Sequence, residues 1–267
     1  ETPGPPQVFV FDDAGRRGEI DDRELAVVER QPEGLHIDGF GQSVYVRDLS
    51  LGDAATVRLR LEGPAAAAPA GARLQLLETV CQQAGTALSN ARLYRLANTD
   101  PLTGLAVRRY FERALRAAAA RGEGFGVVML DLDCFKRIND DWGHRLGDRV
   151  LRDLSGVLTG TLRVMDVAAR YGGEEFVILL PGSSSPEAAA AAERVRRILD
   201  QRQLRVEGCT LRYTASFGVA ASTDLEDRTD PMEVVWLADA ALLEAKRAGR
   251  NQVVTFASLR LEQERRR

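Results

Sequence analysis

Two glycines and two glutamates interrupt an apolar stretch of the chain. Val167-Ala168-Ala169-Arg170 leads into Tyr171-Gly172-Gly173-Glu174-Glu175, and Phe176-Val177-Ile178-Leu179-Leu180 follows. The flanking runs suit buried strands, so the glycines read as the tip of a hairpin. Glycine there frees the backbone to take φ > 0 and lets a ligand approach the main chain. Side chains alternate along a strand, so only one of Glu174 and Glu175 faces a given site. A carboxylate beside bare backbone suits a metal-bound polyphosphate, but a solvated turn has the same composition, and these residues alone do not separate the two.

A second cluster lies upstream. Gly126-Val127-Val128-Met129-Leu130-Asp131-Leu132-Asp133 is an apolar strand ending in two aspartates, and Cys134-Phe135-Lys136-Arg137-Ile138-Asn139-Asp140 reads as the start of a helix. Carboxylates at a strand's C-terminal end take a hard cation, and the N–H groups of a following helix take an anion. Turn and N-cap duty for Asp131 and Asp133 is the competing reading. From Asp100 onward the runs follow the order helix, strand, helix, strand–turn–strand, helix, strand, helix, strand. Crossover helices between apolar strands imply an α/β sandwich with a central sheet and an antiparallel hairpin.

The N-terminal part reads differently. Val8-Phe9-Val10-Phe11 before Asp12-Asp13-Ala14-Gly15 is a hairpin signal, Asp21 through Glu29 suits a short helix, and Ser43–Val46 and Ala55–Leu61 alternate as strands. Gly63 through Gly71 is a low-complexity loop. A helix is expected from about Arg73 to Leu96, where Leu74, Leu77, Cys81, Ala84, Leu88 and Ala91 recur at spacings of three and four. That stripe suits a two-stranded coiled coil or packing within the chain. His36 stands alone and reads as an ordinary polar residue.

Composition sets the outer limits. A chain of 267 residues with 45% hydrophobic content can build one large or two modest cores. Its 36 basic and 39 acidic residues give a net charge of −3, against the strongly basic surface of a nucleic-acid binder. Cys81, Cys134 and Cys209 are widely separated and have no metal-ligand spacing, as expected of reduced thiols in the cytoplasm. No apolar run approaches the roughly 18 residues of a membrane span, and no signal peptide is visible. The chain opens on Glu1-Thr2-Pro3-Gly4-Pro5-Pro6 rather than methionine, as expected of a piece cut from a longer protein.

The two clusters together resemble the GGDEF domain of diguanylate cyclases, in its GGEEF form. Asp131 through Asp148, DLDCFKRINDDWGHRLGD, carries the likeness with Arg170 through Phe176, RYGGEEF. Asp100-Pro101-Leu102-Thr103-Gly104-Leu105, Thr214 through Ala220 and Ala238 through Asn251 resemble further family motifs in the expected order. Two positions depart: Val107 stands where asparagine is usual, and Leu243 where tyrosine is usual. The strands of residues 1–72 with Leu76 through Tyr94 resemble the end of a GAF sensory domain. That region is shortened, so scaffolding or dimerisation is its expected duty. The resemblance thus divides the chain into a GAF-like region at 1–72, a connecting helix at 73–97, a GGDEF domain at 98–258 and a charged tail at 259–267. The implied fold is α/β, a palm-like nucleotidyl-cyclase sheet flanked by helices.

The resemblance also implies a chemistry. Two GTP condense to cyclic di-GMP with release of pyrophosphate, in a homodimer whose domains hold one GTP each. Two Mg2+ ions per active site are implied, with Mn2+ as an alternative. Asp131, Glu174 and the Leu132 carbonyl are the implied metal ligands, with Glu175 as second choice. Glu174 is also the implied acceptor of the 3′-hydroxyl proton, and Lys136 offsets phosphate charge. Phe135, Gly172, Lys246 and Arg250 fall at substrate positions, the last two four residues apart as if on one helix face. Asn139 and Asp148 match guanine-reading positions, although Asp148 also suits a helix cap. Arg163-Val164-Met165-Asp166, with five residues between Asp166 and Gly172, matches the product-inhibition motif, with Arg194 as its second arginine. No nucleic-acid partner and no membrane span within this chain are expected.

Overall fold

The computed structural model describes residues 10–11, 17–18, 34–37, 42–50, 56–64, 71–206, 209–225 and 230–265. The chain divides into two compact units, Glu1–Tyr94 and Arg95–Arg267.

In the first unit β1 (Val10–Phe11) pairs antiparallel with β2 (Arg17–Gly18). Strands β3 (Gly34–Ile37), β4 (Gln42–Ser50) and β5 (Thr56–Pro64) form an antiparallel sheet in that order. His36 lies on β3 opposite Val44. The expected turn at 12–15, the expected helix at 21–29 and most of the expected loop, 65–70, lie outside the described residues. Helix α1 (Ala72–Asn98) carries the expected apolar stripe, but the stripe is not one continuous seam. Leu74, Leu77, Cys81 and Ala84 pack with Tyr45 inside the unit, while Leu88 and Ala91 are exposed. The small side chains of Cys81 and Ala84 let the helix lie close to Tyr45, which uses up the first half of the stripe.

The second unit is built on a six-stranded sheet in the order β13-β12-β7-β9-β8-β6. Its strands are β6 (Ala106–Val107), β7 (Phe125–Leu132), β8 (Val167–Arg170), β9 (Glu175–Pro181), β12 (Ala215–Ala221) and β13 (Val253–Thr255). Strands β7, β9 and β12 run antiparallel to their neighbours within the centre of the sheet, and the outer pairs β6/β8 and β12/β13 are parallel. Every residue of β7 and β12 is buried, as expected of strands covered on both faces.

Alternation along the strands sorts the core into two layers. Val128, Leu130, Phe176, Ile178 and Phe217 face α3 (Phe135–Trp142), α4 (His144–Thr161) and α5 (Ser185–Gln201). Val127, Met129, Val177 and Leu179 face α2 (Arg108–Ala120) and α6 (Glu233–Arg247). Gly218 lets α6 sit directly on β12, since a Cβ there would enter the backbone of Ala238 and Leu242.

The fold departs from the expected order of runs in several places. The helix expected after Asp133 is two helices, broken at Gly143, whose φ of 79° continues no helix. A short hairpin, β10 (Leu204–Val206) with β11 (Cys209–Leu211), was not foreseen. The charged tail is helical in part, as α7 (Phe256–Arg265).

Candidate active site

Asp131 is the last but one residue of β7, and alternation puts its side chain on the α6 side of the sheet with Val127 and Met129. There it meets Lys246, from the last turn of α6, whose Nζ lies 2.9 Å from Asp131 Oδ2. Burial pushes the Asp131 carboxyl up from its ordinary value. Lys246 pulls it back, Asp133 adds to the rise, and Arg250 opposes it; the net shift stays upward. Glu174, at the glycine turn, is also raised, by burial first and then by the Asp131 charge. Two carboxylates therefore share one field at the end of the sheet, with less positive charge than both require. The Leu132 N–H donates to the Glu174 carbonyl at 3.4 Å, tying the turn to the end of β7.

Asp133 has a different job from the one expected. Both of its oxygens are taken by hydrogen bonds, and it makes no cap bond to α3. Its Oδ2 accepts from Thr214 Oγ1 at 2.7 Å and from the Asn251 N–H at 3.0 Å, and its Oδ1 accepts from Ser216 Oγ at 2.6 Å. Asn251 in turn accepts from Arg196 Nη1 at 3.0 Å and donates to Asp200 at 2.8 Å. This knot joins β7, β12, α5 and the loop after α6. Asp133 as a knot centre and Asn251 as its link went unforeseen. Their one local signal is the pair of hydroxyls, Thr214 and Ser216, two apart on a strand that is otherwise apolar.

The knot also corrects the placing of Arg250. Lys246 lies on α6 but Arg250 does not, because the helix ends at Arg247 and Gly249, Arg250 and Asn251 take φ of 120°, 65° and 44°. Arg250 thus acts on Asp131 from a left-handed loop anchored at Asn251, rather than from a shared helix face.

Around α3 the candidate residues divide by depth. Cys134 precedes the helix in the left-handed region with φ of 55° and is exposed. The Phe135 side chain is buried in the core, so only its backbone is available at the helix start. Lys136 is exposed in the first turn. A cleft of about 430 Å³ opens beside this helix, lined by Cys134, Arg137, Trp142, Thr214 and Arg250 among others. Asn139 lies against Gly147 so closely that a Cβ on that glycine would overlap its side-chain oxygen. Asp148, next in sequence, is half-buried one turn inside α4, which excludes the capping role. Gly147, the residue before Asp148, thus lies against Asn139 across the α3–α4 junction.

The glycine turn is braced from outside. Arg170 Nη2 and Nε donate to the Gly173 carbonyl at 2.7 and 3.1 Å, and its Nη1 lies 3.3 Å from both oxygens of Asp100. Asp100 also accepts from the Thr103 hydroxyl at 2.7 Å and the Thr103 N–H at 2.9 Å. Burial would raise the Asp100 carboxyl, but the Thr103 bonds and Arg170 outweigh it and hold it low. Tyr171 is wedged between Arg108, 4.3 Å from its ring centre, and the edge of Phe111. Glu175 sits opposite Asp131 in register, but its carboxylate lies against Gly172, where a Cβ would collide with it. The Asp100–Arg170 brace was not foreseen as part of the site.

At the other end of β8, Asp166 closes the turn by accepting from the Arg163 N–H at 2.8 Å. The Arg163 side chain is exposed, and Arg194 Nη2 donates to the Thr161 carbonyl at 3.2 Å, bringing its guanidinium to the same corner.

The donor set at the sheet end fits a hard divalent cation. Asp131 and Glu174 supply carboxylate oxygens, the choice of magnesium rather than of a softer metal. Among the described residues no three or more His, Cys, Asp or Glu side chains gather as a metal cage. A cation held there would need its remaining oxygens from backbone, water or a bound phosphate.

Comparison with known proteins places this unit. Residues 97–252 match the family model described as diguanylate cyclase, GGDEF domain, more than half of the chain. The chain belongs to the GGDEF family. It is 35% identical over 186 residues to diguanylate cyclase A of Treponema denticola, covering 67% of this chain and 49% of that protein. It is 42% identical over 161 residues to diguanylate cyclase DgcP of Pseudomonas aeruginosa, covering 59% of this chain and 24% of that protein. The chain thus spans about half or less of the length of these relatives. Among solved structures, the coiled coil and GGDEF domain of DgcB from Caulobacter crescentus, in complex with c-di-GMP, superposes with a TM-score of 0.61. The identity is 31%, over 68% of this chain and 97% of that one. Among the described residues no helix is long and apolar enough to cross a membrane.

Proposed function

We propose that this chain is a diguanylate cyclase that condenses two GTP into one cyclic di-GMP and two pyrophosphates. The observation that carries the reading is the meeting of Asp131, Glu174, Lys246 and Arg250 at the end of the sheet. In each half-reaction a 3′-oxygen bonds to the α-phosphorus of the facing nucleotide, the bond from that phosphorus to the pyrophosphate oxygen breaks, and the 3′-hydroxyl proton leaves. Glu174, whose raised carboxyl suits proton exchange, is the candidate acceptor.

Asp131, Glu174 and the Leu132 carbonyl would hold Mg2+ or Mn2+, two ions per site, with Glu175 in reserve. Bound there, the ions supply charge neutralisation on the phosphates and acidify the attacking hydroxyl. Lys246, Arg250 and Lys136 bind the triphosphate, with the Phe135 and Gly172 backbones close to it. Asn139 and Asp148 read the N1–H and N2–H edge of guanine, which leaves adenine unmatched. One unit holds one GTP, so the working form is a homodimer. The exposed half of the α1 stripe supports pairing, with the preceding strands as a shortened GAF-like scaffold. Arg163, Asp166 and Arg194 form an inhibitory site for the product, and a GTP-consuming reaction fits the cytoplasm.

The test is to incubate the purified chain with GTP and Mg2+ and identify the products by mass. Cyclic di-GMP sustains the reading. Tight cyclic di-GMP binding without turnover points instead to a binding module, and a cyclic mononucleotide to a conventional cyclase.

A further inference from the structure

The carboxylate that the proposed reaction assigns to a metal ion already has a partner. Lys246 Nζ stands 2.9 Å from Asp131 Oδ2, with the Asp131 side chain 9% and the Lys246 side chain 31% exposed. The same ammonium also acts on Glu174. The lysine thus pairs with one carboxylate and lies within electrostatic reach of the other. A small divalent ion seeks about six oxygens and gives up water reluctantly. This chain offers two carboxylates at the site, one of them paired, and no cage of three or more ligating side chains among the described residues. Metal alone has little to gain there.

A triphosphate changes that balance. Lysine is a compact charge on a flexible stem of four methylenes, and it follows the stronger anion. Lys246 sits in the last turn of α6 and Arg250 in the left-handed loop that follows, and both act on Asp131, so one nucleotide tail can address both.

We propose that Lys246 is a resident counter-ion that occupies Asp131 until nucleotide arrives and then transfers to the phosphates. This rests on reading the site as one for a metal and a nucleoside triphosphate. Before binding, the ammonium offsets the Asp131 and Glu174 charges. Afterwards Asp131 is released to ligate the cation carried on the phosphates, and the lysine offsets phosphate charge instead. Metal and triphosphate therefore bind as a coupled pair, each raising the other's affinity by the same factor. A lysine that only binds phosphate, with no claim on Asp131, leaves metal affinity untouched.

The experiment measures Mn2+ binding to the whole chain by calorimetry, without nucleotide, and then binding of a non-hydrolysable GTP analogue with and without Mn2+. Lys246→Met keeps the length and removes the charge. It should bind Mn2+ alone roughly two- to fivefold more tightly than the parent, the scale of a lost partly exposed ion pair. It should bind the analogue more weakly and show less coupling between the two. Lys246→Gln should move in the same direction, and Lys246→Arg should stay near the parent. Unchanged or weaker Mn2+ binding by folded Lys246→Met and Lys246→Gln overturns the proposal. The metal titration needs neither nucleotide nor turnover. It therefore reads the lysine's hold on Asp131 even if the chain makes no cyclic di-GMP.

Discussion

Asp131, near the end of β7, and Asp133, just past it, stand two residues apart and enter different surroundings. Asp133 ends in a knot of three short hydrogen bonds from β12 and the loop after α6. Asp131 meets a single lysine beside a second, under-neutralised carboxylate. Asp153 repeats the first pattern, bound by Arg202 at 2.6 and 2.7 Å and by the Tyr213 hydroxyl at 2.7 Å. Asp166, with one backbone donor and an exposed arginine beside it, stands between the two. Saturated acids hold elements together, while an acid left short of partners retains capacity for a ligand.

The largest effect should come from removing an under-neutralised carboxylate. Glu174→Gln should cut cyclic di-GMP formation by roughly 10³-fold or more, the scale for losing a charge that acts in the transition state. Its unfolding midpoint in urea should stay close to the parent's. Turnover within tenfold of the parent would remove Glu174 from the metal and proton roles.

Asp133→Ala tests the other side of the comparison. It strands two hydroxyls and one backbone N–H in a site that is 9% exposed at Asp133 and fully buried at Ser216. A loss of about 3–5 kcal/mol of folding stability is expected from urea titration. If the variant is as stable as the parent but inactive, Asp133 belongs with Asp131 and the division between the two fails.

How much of this was legible beforehand follows from range. The β8–β9 hairpin and the buried β7 are written in consecutive residues, and so are Asp131 and Glu174 at their ends. Periodicity is local and reads such features directly. The knot on Asp133 draws on Thr214, Ser216 and Asn251, far along the chain, and no spacing rule links them. The spacing of Lys246 and Arg250 misled for a related reason: a count of four implies a shared face only while the helix lasts, and α6 ends between them. On α1 the stripe was visible but its partner was not, because nothing local shows that Tyr45 takes the first half.

Asp166 offers the intermediate case. Arg163→Ala should weaken cyclic di-GMP binding by roughly ten- to a hundredfold, the loss of one bidentate contact to guanine. Initial rates should be similar to the parent's, because the turn lies across the four residues of β8 from the glycine tip. Progress curves for the variant should stay linear longer. If both proteins stall at the same product concentration, the Arg163–Asp166 turn is only a closed loop.

The smallest effect separates the two kinds of acid by sign alone. Burial raises the Asp131 carboxyl, and Lys246 does not fully reverse it. Its protonated form therefore persists to higher pH in the folded chain than in the unfolded one. The stability this group contributes is full below about pH 4 and is lost as pH rises through its folded value. Burial also acts to raise Asp153, but the bonds from Arg202 and Tyr213 outweigh it, and the folded carboxyl lies below its ordinary value. Its contribution is full above about pH 4 and is lost as pH falls through that lower value. Urea titrations in metal-free buffer between about pH 3 and 7 should show this as opposite changes in slope. Asp131→Asn should gain stability relative to the parent as pH rises, since the variant no longer has a penalised charge to form. Asp153→Asn should fall further behind the parent over the same rise, because only the parent gains its paired carboxylate. Slopes of the same sign for both variants would mean that Lys246 saturates Asp131 as fully as Arg202 and Tyr213 saturate Asp153, and the contrast between the two regions would collapse.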